Sequence, residues 1–116
     1  MASNAAQYYE NNRTAMRPVR ESMPDLLKGF GGLHKSAMKD GSLDTRTKEL
    51  MAFSIGMALR CENCIYSHIQ AALKAGARRE QVLEAAAVAV MMGGGPVYTY
   101  LPRVTEALDE CIGHNQ

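Results

Sequence analysis

Apolar residues recur along most of the chain with the three- and four-residue spacing of helices that cover a core. The first stripe contains five of them: Val19, Met23, Leu26, Leu27 and Phe30. Pro24 interrupts this stripe, and proline is tolerated best in the first turn of a helix. The pattern therefore predicts a short or irregular N-terminal segment, followed by a core-facing helix over 24–38.

Capping residues divide the middle of the chain into further helices. Asp44 is a good N-cap for a helix over 45–59, because its carboxylate can accept from a free backbone N–H. Gly76 is expected to end the next helix, over 61–74, since glycine adopts the left-handed C-cap conformation most easily. An alanine-rich stretch predicts a third helix over 79–92.

The glycine-rich segment 93–96 ends the helix over 79–92, and the last predicted helix begins at its final residue. Pro96 suits its first turn, and Pro102 is expected to kink it before it ends near Cys111. No run of alternating β-branched residues predicts a strand. The 116 residues thus predict one all-α domain over 1–116, a bundle of about five helices.

Composition and charge narrow the classes of function. Apolar residues make up 47% of the chain and charged residues 22%, a balance that excludes disorder. Thirteen Lys and Arg face twelve Asp and Glu, which leaves no basic surface for nucleic acid. No apolar run reaches the roughly 18 residues of a membrane span, and the first residues lack the order of a secretory signal. We expect a soluble, cytoplasmic domain that binds neither nucleic acid nor membrane.

Two of the three cysteines form a Cys-x-x-Cys pair, Cys61 and Cys64. In a cytoplasmic protein this spacing indicates redox or metal chemistry. On a helix with about 100° per residue, Cys64 lies about −60° and His68 about −20° from Cys61, so all three share one face. A histidine one turn from a thiol can take its proton, and the thiolate is the reactive form.

Glu49 lies on the preceding predicted helix among apolar neighbours, where a carboxylate needs a reason. In one continuous helix Glu49 would be roughly 18 Å from Cys61. An antiparallel hairpin near Arg60 would instead bring Glu49 within about one turn of His68, where it could orient the imidazole. The alternative is a first-turn acid that complements the helix dipole.

These residues resemble the alkylhydroperoxidase-like branch of the carboxymuconolactone decarboxylase family. The motif consists of Glu49, Cys61-Glu62-Asn63-Cys64 and His68. The segments 71–77 and 93–96 are similar to the helix end and the glycine-proline turn of that family, so the resemblance covers about 43–108. It implies an all-α homo-oligomer, a hexamer or alternatively a trimer. The eight methionines and the alanine-rich helix agree, because they offer more apolar surface than a thin monomer can bury.

The resemblance also implies an activity, the reduction of a hydroperoxide with electrons from a dithiol or a disulfide reductase. Cys64 would attack the peroxide, and Cys61 would resolve the resulting sulfenic acid as a disulfide. Glu49 and His68 would relay protons, and the reaction would need neither a cofactor nor a metal.

Two features of the chain stand apart from this pattern. Some family members carry a second histidine immediately before the attacking cysteine, and this chain has Asn63 there. The dipole of a helix fades within its first turn, so the helix terminus alone would activate Cys61 more than Cys64. The position of His68, four residues after Cys64, favours Cys64 as the attacking thiol.

Other interpretations stay open beside the peroxidase. One is a decarboxylase of a lactone acid, the other activity of the family, although those members generally lack the paired cysteines. Another is a non-catalytic zinc or interaction module, in which Cys111 and His114 would complete a site begun by the Cys-x-x-Cys pair. The gap between those halves is longer than the usual roughly 12–20 residues. A buried, inert cysteine pair is a third. His34 has no partner visible in the sequence and is interpreted as a surface residue.

Overall fold

The computed structural model describes residues 2–113, and every regular element in that range is helical. The elements are α1 (Asn4–Ser22), α2 (Pro24–Met38), α3 (Thr45–Ala58), α4 (Glu62–Lys74), α5 (Arg79–Gly93), α6 (Gly95–Tyr98) and α7 (Leu101–Ile112). The all-α class is confirmed. The expected number of about five helices is too low, because α1 and the division of the last helix into α6 and α7 add to it. None of the helices in this range is long and apolar enough to cross a membrane.

The core lies between α3, α4, α5 and α7. Its largest fully buried side chains include Phe53, Met57, Ile65, Tyr66, Ile69, Val82, Val104 and Leu108. The Ser54 hydroxyl donates to the Ala85 carbonyl at 2.8 Å and joins α3 to α5. From α1, the rings of Tyr8 and Tyr9 contact the ring of Tyr66, and the Tyr9 hydroxyl donates to the Tyr66 carbonyl at 2.6 Å. Four helices thus enclose the core, and α1 closes it on one side.

The N-terminal segment is a helix of 19 residues, so the prediction of a short or irregular segment is wrong. Ser3 caps α1 by accepting from the Ala6 N–H at 3.1 Å. The helix continues through Pro18 and ends where the Met23 N–H donates to the Val19 carbonyl at 2.8 Å. A polar segment with an internal proline gives little helix signal. The tyrosine contacts with α4 supply the stabilisation that the local sequence lacks.

The bounds predicted for α2 are confirmed, but the prediction that α2 faces the core is wrong. None of its side chains is buried, and Leu26, Phe30 and Leu33 are 59%, 65% and 64% exposed. The predicted stripe is divided at Met23, which adopts the non-helical φ of −136° between α1 and α2. Because the direction of the chain changes there, α2 turns its apolar side to solvent.

The C-terminal part departs from the prediction at Pro102. The helical conformation ends after α6, and a new helix, α7, begins at Leu101. Pro102 therefore lies in the first turn of α7 and does not kink a helix. Proline needs no backbone donor in a first turn, which explains the preference for this arrangement over a bent helix. Pro96 occupies the first turn of α6, at the start of the last helical region as predicted.

Candidate redox-active site

The turn between α3 and α4 determines where Cys61 lies. The Arg60 N–H donates to the Met57 carbonyl at 3.0 Å, and the Cys61 N–H donates to the Gly56 carbonyl at 2.9 Å. These are the paired hydrogen bonds of a Schellman motif, which places a left-handed residue just after the helix. Arg60 fills that position with a φ of 56°. The motif reverses the chain, so that α4 packs against α3.

Cys61 is the N-cap of α4, and not its first helical residue as predicted from the sequence. Its Sγ accepts from the Cys64 N–H at 3.2 Å. A disulfide joins Cys61 and Cys64, whose Cα atoms are 5.2 Å apart. Both sulfurs therefore lie at the N-terminus of a helix, where unpaired N–H groups and the helix dipole favour a thiolate when the bond is reduced.

Glu49 and His68 form a hydrogen-bonded pair beside the cysteines. Glu49 Oε1 and His68 Nδ1 are 2.7 Å apart, so the predicted hairpin is confirmed. Glu49 is buried and lies beyond the first turn of α3, and that first turn contains no acidic residue. The interpretation of Glu49 as a first-turn acid that complements the helix dipole is therefore wrong. Since a carboxylate only accepts, Nδ1 carries a proton, and Nε2 of the neutral ring is an acceptor.

Gly56 allows α3 and α4 to approach each other at the site. A Cβ added to Gly56 would lie 2.8 Å from the Cβ of Cys64, closer than real side-chain carbons approach. The sequence alone did not reveal this role of Gly56. Its steric role depends on the crossing of two helices, for which the spacing of residues gives no signal.

A charged pair that was not predicted from the sequence lies at the start of α4. Arg103 Nε donates to the Glu62 carboxylate at 2.8 Å, and the Arg103 guanidinium lies 4.3 Å from the centre of the Tyr100 ring. The negative charge of Glu62 is thus compensated from α7. Separation in sequence hides the pair, since nothing local links the two residues.

His34 comes from α2 to lie beside His68. The centroids of the two imidazole rings are 6.4 Å apart, and their planes differ by 18°. The interpretation of His34 as a surface residue is correct in exposure, and the structure adds a neighbour, His68, that was not visible in the sequence. Only the path of α2 over the site reveals this neighbour.

The third cysteine lies away from the pair. Cys111 is a free, half-buried thiol of α7, and burial raises its pKa, with the neighbouring Tyr9 hydroxyl acting in the opposite direction. The zinc interpretation needs His114, which lies outside the described residues. Between residues 2 and 113 no group of three or more His, Cys, Asp or Glu side chains is placed to hold a metal ion. The sulfurs of Cys61 and Cys64 are bonded to each other.

The fold and the site together define the class of this protein. It is an all-helical protein with a Cys-x-x-Cys disulfide beside a Glu–His pair. The model of the carboxymuconolactone decarboxylase family matches residues 24–107, and the chain belongs to this family. The match begins well before residue 43, where the recognisable motifs start, and so includes the exposed α2. Membership in this family does not specify the reaction, which follows from the residues of the site.

Two relatives match this chain in sequence over most of its length. An uncharacterized protein of Cupriavidus necator is 35% identical over 89 residues, which are 77% of this chain and 79% of the relative. Uncharacterized protein 4 in the cox locus of Paracoccus denitrificans is 38% identical over 84 residues, 72% of this chain and 76% of the relative. These relatives carry no assigned activity.

Solved structures show the same fold. A carboxymuconolactone decarboxylase family protein from Legionella pneumophila, in its apo form, is 40% identical with a TM-score of 0.85, and the match covers 91% of this chain and 95% of that one. A family member from Thermotoga maritima is 33% identical with a TM-score of 0.74, covering 84% and 86%. For the Thermotoga protein a part in the antioxidative response has been suggested.

Proposed function

We propose that this chain is a dithiol peroxidase that reduces a hydroperoxide with Cys64 and Cys61. The observation that carries the proposal is the disulfide between these residues, one helical turn before a histidine that is hydrogen-bonded to buried Glu49. A thiol pair that can close a disulfide supplies both electrons that a peroxide needs, without a cofactor or a metal. The antioxidative role suggested for the Thermotoga relative agrees with this chemistry.

The first step uses Cys64 and His68. His68 takes the proton of the Cys64 thiol on Nε2, and Glu49 holds the ring through Nδ1. The thiolate attacks the terminal peroxide oxygen, so that a sulfur–oxygen bond forms and the oxygen–oxygen bond breaks. The departing alkoxide takes the proton from His68 and leaves as an alcohol. Cys64 is then a sulfenic acid.

The second step uses Cys61. Its thiol attacks the sulfur of the sulfenic acid, the sulfur–sulfur bond forms, and hydroxide leaves with the thiol proton as water. The product is the Cys61–Cys64 disulfide present in the structure. The Cys64 N–H that contacts Cys61 Sγ stabilises negative charge on that sulfur while it attacks. An external dithiol or a disulfide reductase then restores both thiols.

Arg103 supports the electrostatics of both steps. A free carboxylate at the start of α4 would oppose a thiolate at the same helix end. Because Arg103 binds the Glu62 carboxylate at 2.8 Å, that opposition is reduced. The positive end of the helix then acts mainly on the two sulfurs.

Peroxide titration of the reduced protein tests this function. One equivalent of hydroperoxide should consume the thiols of Cys61 and Cys64 and leave Cys111 free. If no thiol is lost, a lactone-acid decarboxylase or a related enzyme becomes the better interpretation. If the thiols react only after a chelator is added, the zinc-binding or interaction module is favoured.

We also propose that the protein is a homo-oligomer, a hexamer with a trimer as the alternative, working in the cytoplasm, where donors keep thiols reduced. Large apolar side chains on α2, α3 and α5 are exposed in the single chain: Leu26, Phe30, Leu33, Met51, Ile55, Val88, Met91 and Met92. A second copy of the chain can cover such surface. Light scattering at micromolar concentration should give six or three times the chain mass of 12.7 kDa, and a monomer would contradict the proposal.

A further inference from the structure

His34 connects α2 to the proposed site. Its ring lies nearly parallel to the ring of His68, with 6.4 Å between their centroids. Since α2 buries none of its side chains, core packing does not account for the position of His34. The proximity of a titratable side chain to the imidazole of the site therefore indicates a chemical role.

The titratable groups at this place become more exposed from the core outward. The side chain of Glu49 is 6% exposed and that of His68 is 23% exposed, and His34 is an exposed residue. Glu49 and His68 share a hydrogen bond at the inner end of this series. An ordered series of groups that can gain and lose protons, from a buried carboxylate to solvent, is the arrangement of a proton path.

We propose that His34 exchanges protons between His68 and solvent, a role that rests on the proposed dithiol chemistry. Rings at this separation do not share a direct hydrogen bond, and one water molecule between them completes the connection. Imidazole suits this role, because it accepts a proton on one nitrogen and releases one from the other near neutral pH. His34 acts through His68 and does not touch the reacting sulfurs.

The proposed cycle requires such an exchange. In the peroxide step the proton stays within the site, because it passes from Cys64 to His68 and then to the departing alkoxide, so the exchange with solvent belongs to the reduction of the disulfide. During reduction the disulfide bond breaks and the two protein sulfurs take up two protons. The two thiols of the donor release two protons as the donor disulfide forms. These protons pass through solvent, and Glu49, at the buried end, offers no exit.

Chemical rescue of a His34→Ala variant tests the role. The rate at which dithiothreitol reduces the Cys61–Cys64 disulfide is measured at constant pH and ionic strength, in dilute buffer and with increasing imidazole. We expect His34→Ala to be slower in dilute buffer by about tenfold, less than the roughly 10²-fold loss of a direct acid–base contact. Added imidazole should restore its rate, and the wild type should change little. His34→Gln should behave like His34→Ala, and Lys35→Ala, the adjacent exposed position, should match the wild type.

Three results would overturn the proposal. Either the His34 variants are reduced at the wild-type rate in dilute buffer, or their loss is not restored by imidazole, which would indicate a structural effect. Full activity of His34→Gln would equally show that hydrogen bonding, and not proton exchange, is what His34 contributes.

Peroxide consumption is measured in parallel on the wild type. Failure there would refute the peroxidase function, and the dithiothreitol assay would still decide the role of His34.

Discussion

Gly56 and Cys64 pack so closely that a Cβ on Gly56 would lie 2.8 Å from the Cβ of Cys64. Helix α4 therefore reaches this position against α3 only because residue 56 has no side chain. The same helix α3 carries Glu49, whose carboxylate holds His68. The packing at Gly56 thus sets the distance between the proposed attacking thiol and the pair that serves it.

Substitution of Gly56 by alanine should disturb this packing. We expect Gly56→Ala to lower the free energy of unfolding by about 1–3 kcal/mol, the usual cost of overpacking, and to slow peroxide consumption. Gly32→Ala is the matched control, since nothing lies within 4 Å of a Cβ built on Gly32. That variant should keep its rate and gain about 0.5–1 kcal/mol from helix propensity. Urea unfolding and peroxide assays of both proteins check the prediction, and equal behaviour of the two variants would contradict it.

Glu49→Gln separates the charge of the carboxylate from its place in the fold. The amide keeps the shape and can still accept from His68, but it cannot stabilise a protonated imidazole by charge. Peroxide consumption should fall by on the order of 10²-fold, with little change in thermal midpoint. Glu84→Gln, on the exposed side of α5, should have no effect. A Glu49→Gln protein with wild-type turnover would show that the carboxylate has no part in the reaction.

Local signals predicted the helices that carry the site. Asp44 accepts from the Thr47 N–H at 2.8 Å and begins α3 where the sequence indicated. Gly76, with a φ of 101°, follows α4 as expected. Both are capping residues whose effect depends on their immediate neighbours, and such effects are readable from sequence.

Periodicity identified the apolar side of α2 but not what it faces. Phe30 and Leu33 follow the spacing of a core helix and are nevertheless exposed in the single chain. An apolar stripe marks a side of a helix that favours burial, and its spacing does not distinguish a side that faces the core from one that lies on the surface of the single chain. The same limit hid His34 and Arg103, because their partners depend on how separate helices cross.

Arg60 offers a test of the turn that positions Cys61. Its left-handed conformation, with a φ of 56°, costs a non-glycine residue about 1–2 kcal/mol. Arg60→Gly should therefore match or exceed the wild type in stability, although glycine gains entropy in the unfolded chain. Arg60→Val should lose at least about 1 kcal/mol, because branched side chains fit this conformation worst.

The peroxide rates of these variants provide the second readout. Arg60→Val should also be slower, since Cys61 follows the turn directly. Gly76→Ala changes the corresponding position after α4, where the Gly76 N–H donates to the Leu73 carbonyl at 3.0 Å. That control should lose stability and keep the activity of the folded protein. Equal stability of Arg60→Gly and Arg60→Val would contradict this account of the turn.

Cys111 should be a poor nucleophile. Burial raises the pKa of its thiol, so the thiolate fraction at neutral pH is smaller than for an ordinary cysteine, and this effect outweighs the opposite one of Tyr9. Iodoacetamide should alkylate Cys111 more slowly than a cysteine in a short peptide, and the rate should rise with pH above the range where the peptide has levelled off. Peptide mapping of the folded, reduced protein measures this rate. Faster modification of Cys111 than of Cys61 and Cys64 would show that Cys111 is not a poor nucleophile.

The central claim is that Cys64 attacks the peroxide and Cys61 resolves it. Cys64→Ser should abolish peroxide consumption, because His68 lies four residues after Cys64 and no other thiol has a base in that position. Cys61→Ser should react once and leave Cys64 as a sulfenic acid that cannot form the disulfide. Cys111→Ser is the matched control and should retain full turnover.

Dimedone trapping after a single turnover of peroxide tests this claim most directly. The Cys61→Ser protein, treated with one equivalent of hydroperoxide and dimedone, should carry the adduct on Cys64, as read by peptide mass spectrometry. The Cys64→Ser protein should carry none. An inert Cys61→Ser protein together with an adduct on Cys61 in Cys64→Ser would reverse the roles of the two cysteines, and would show that the N-cap position of Cys61 outweighs the histidine beside Cys64.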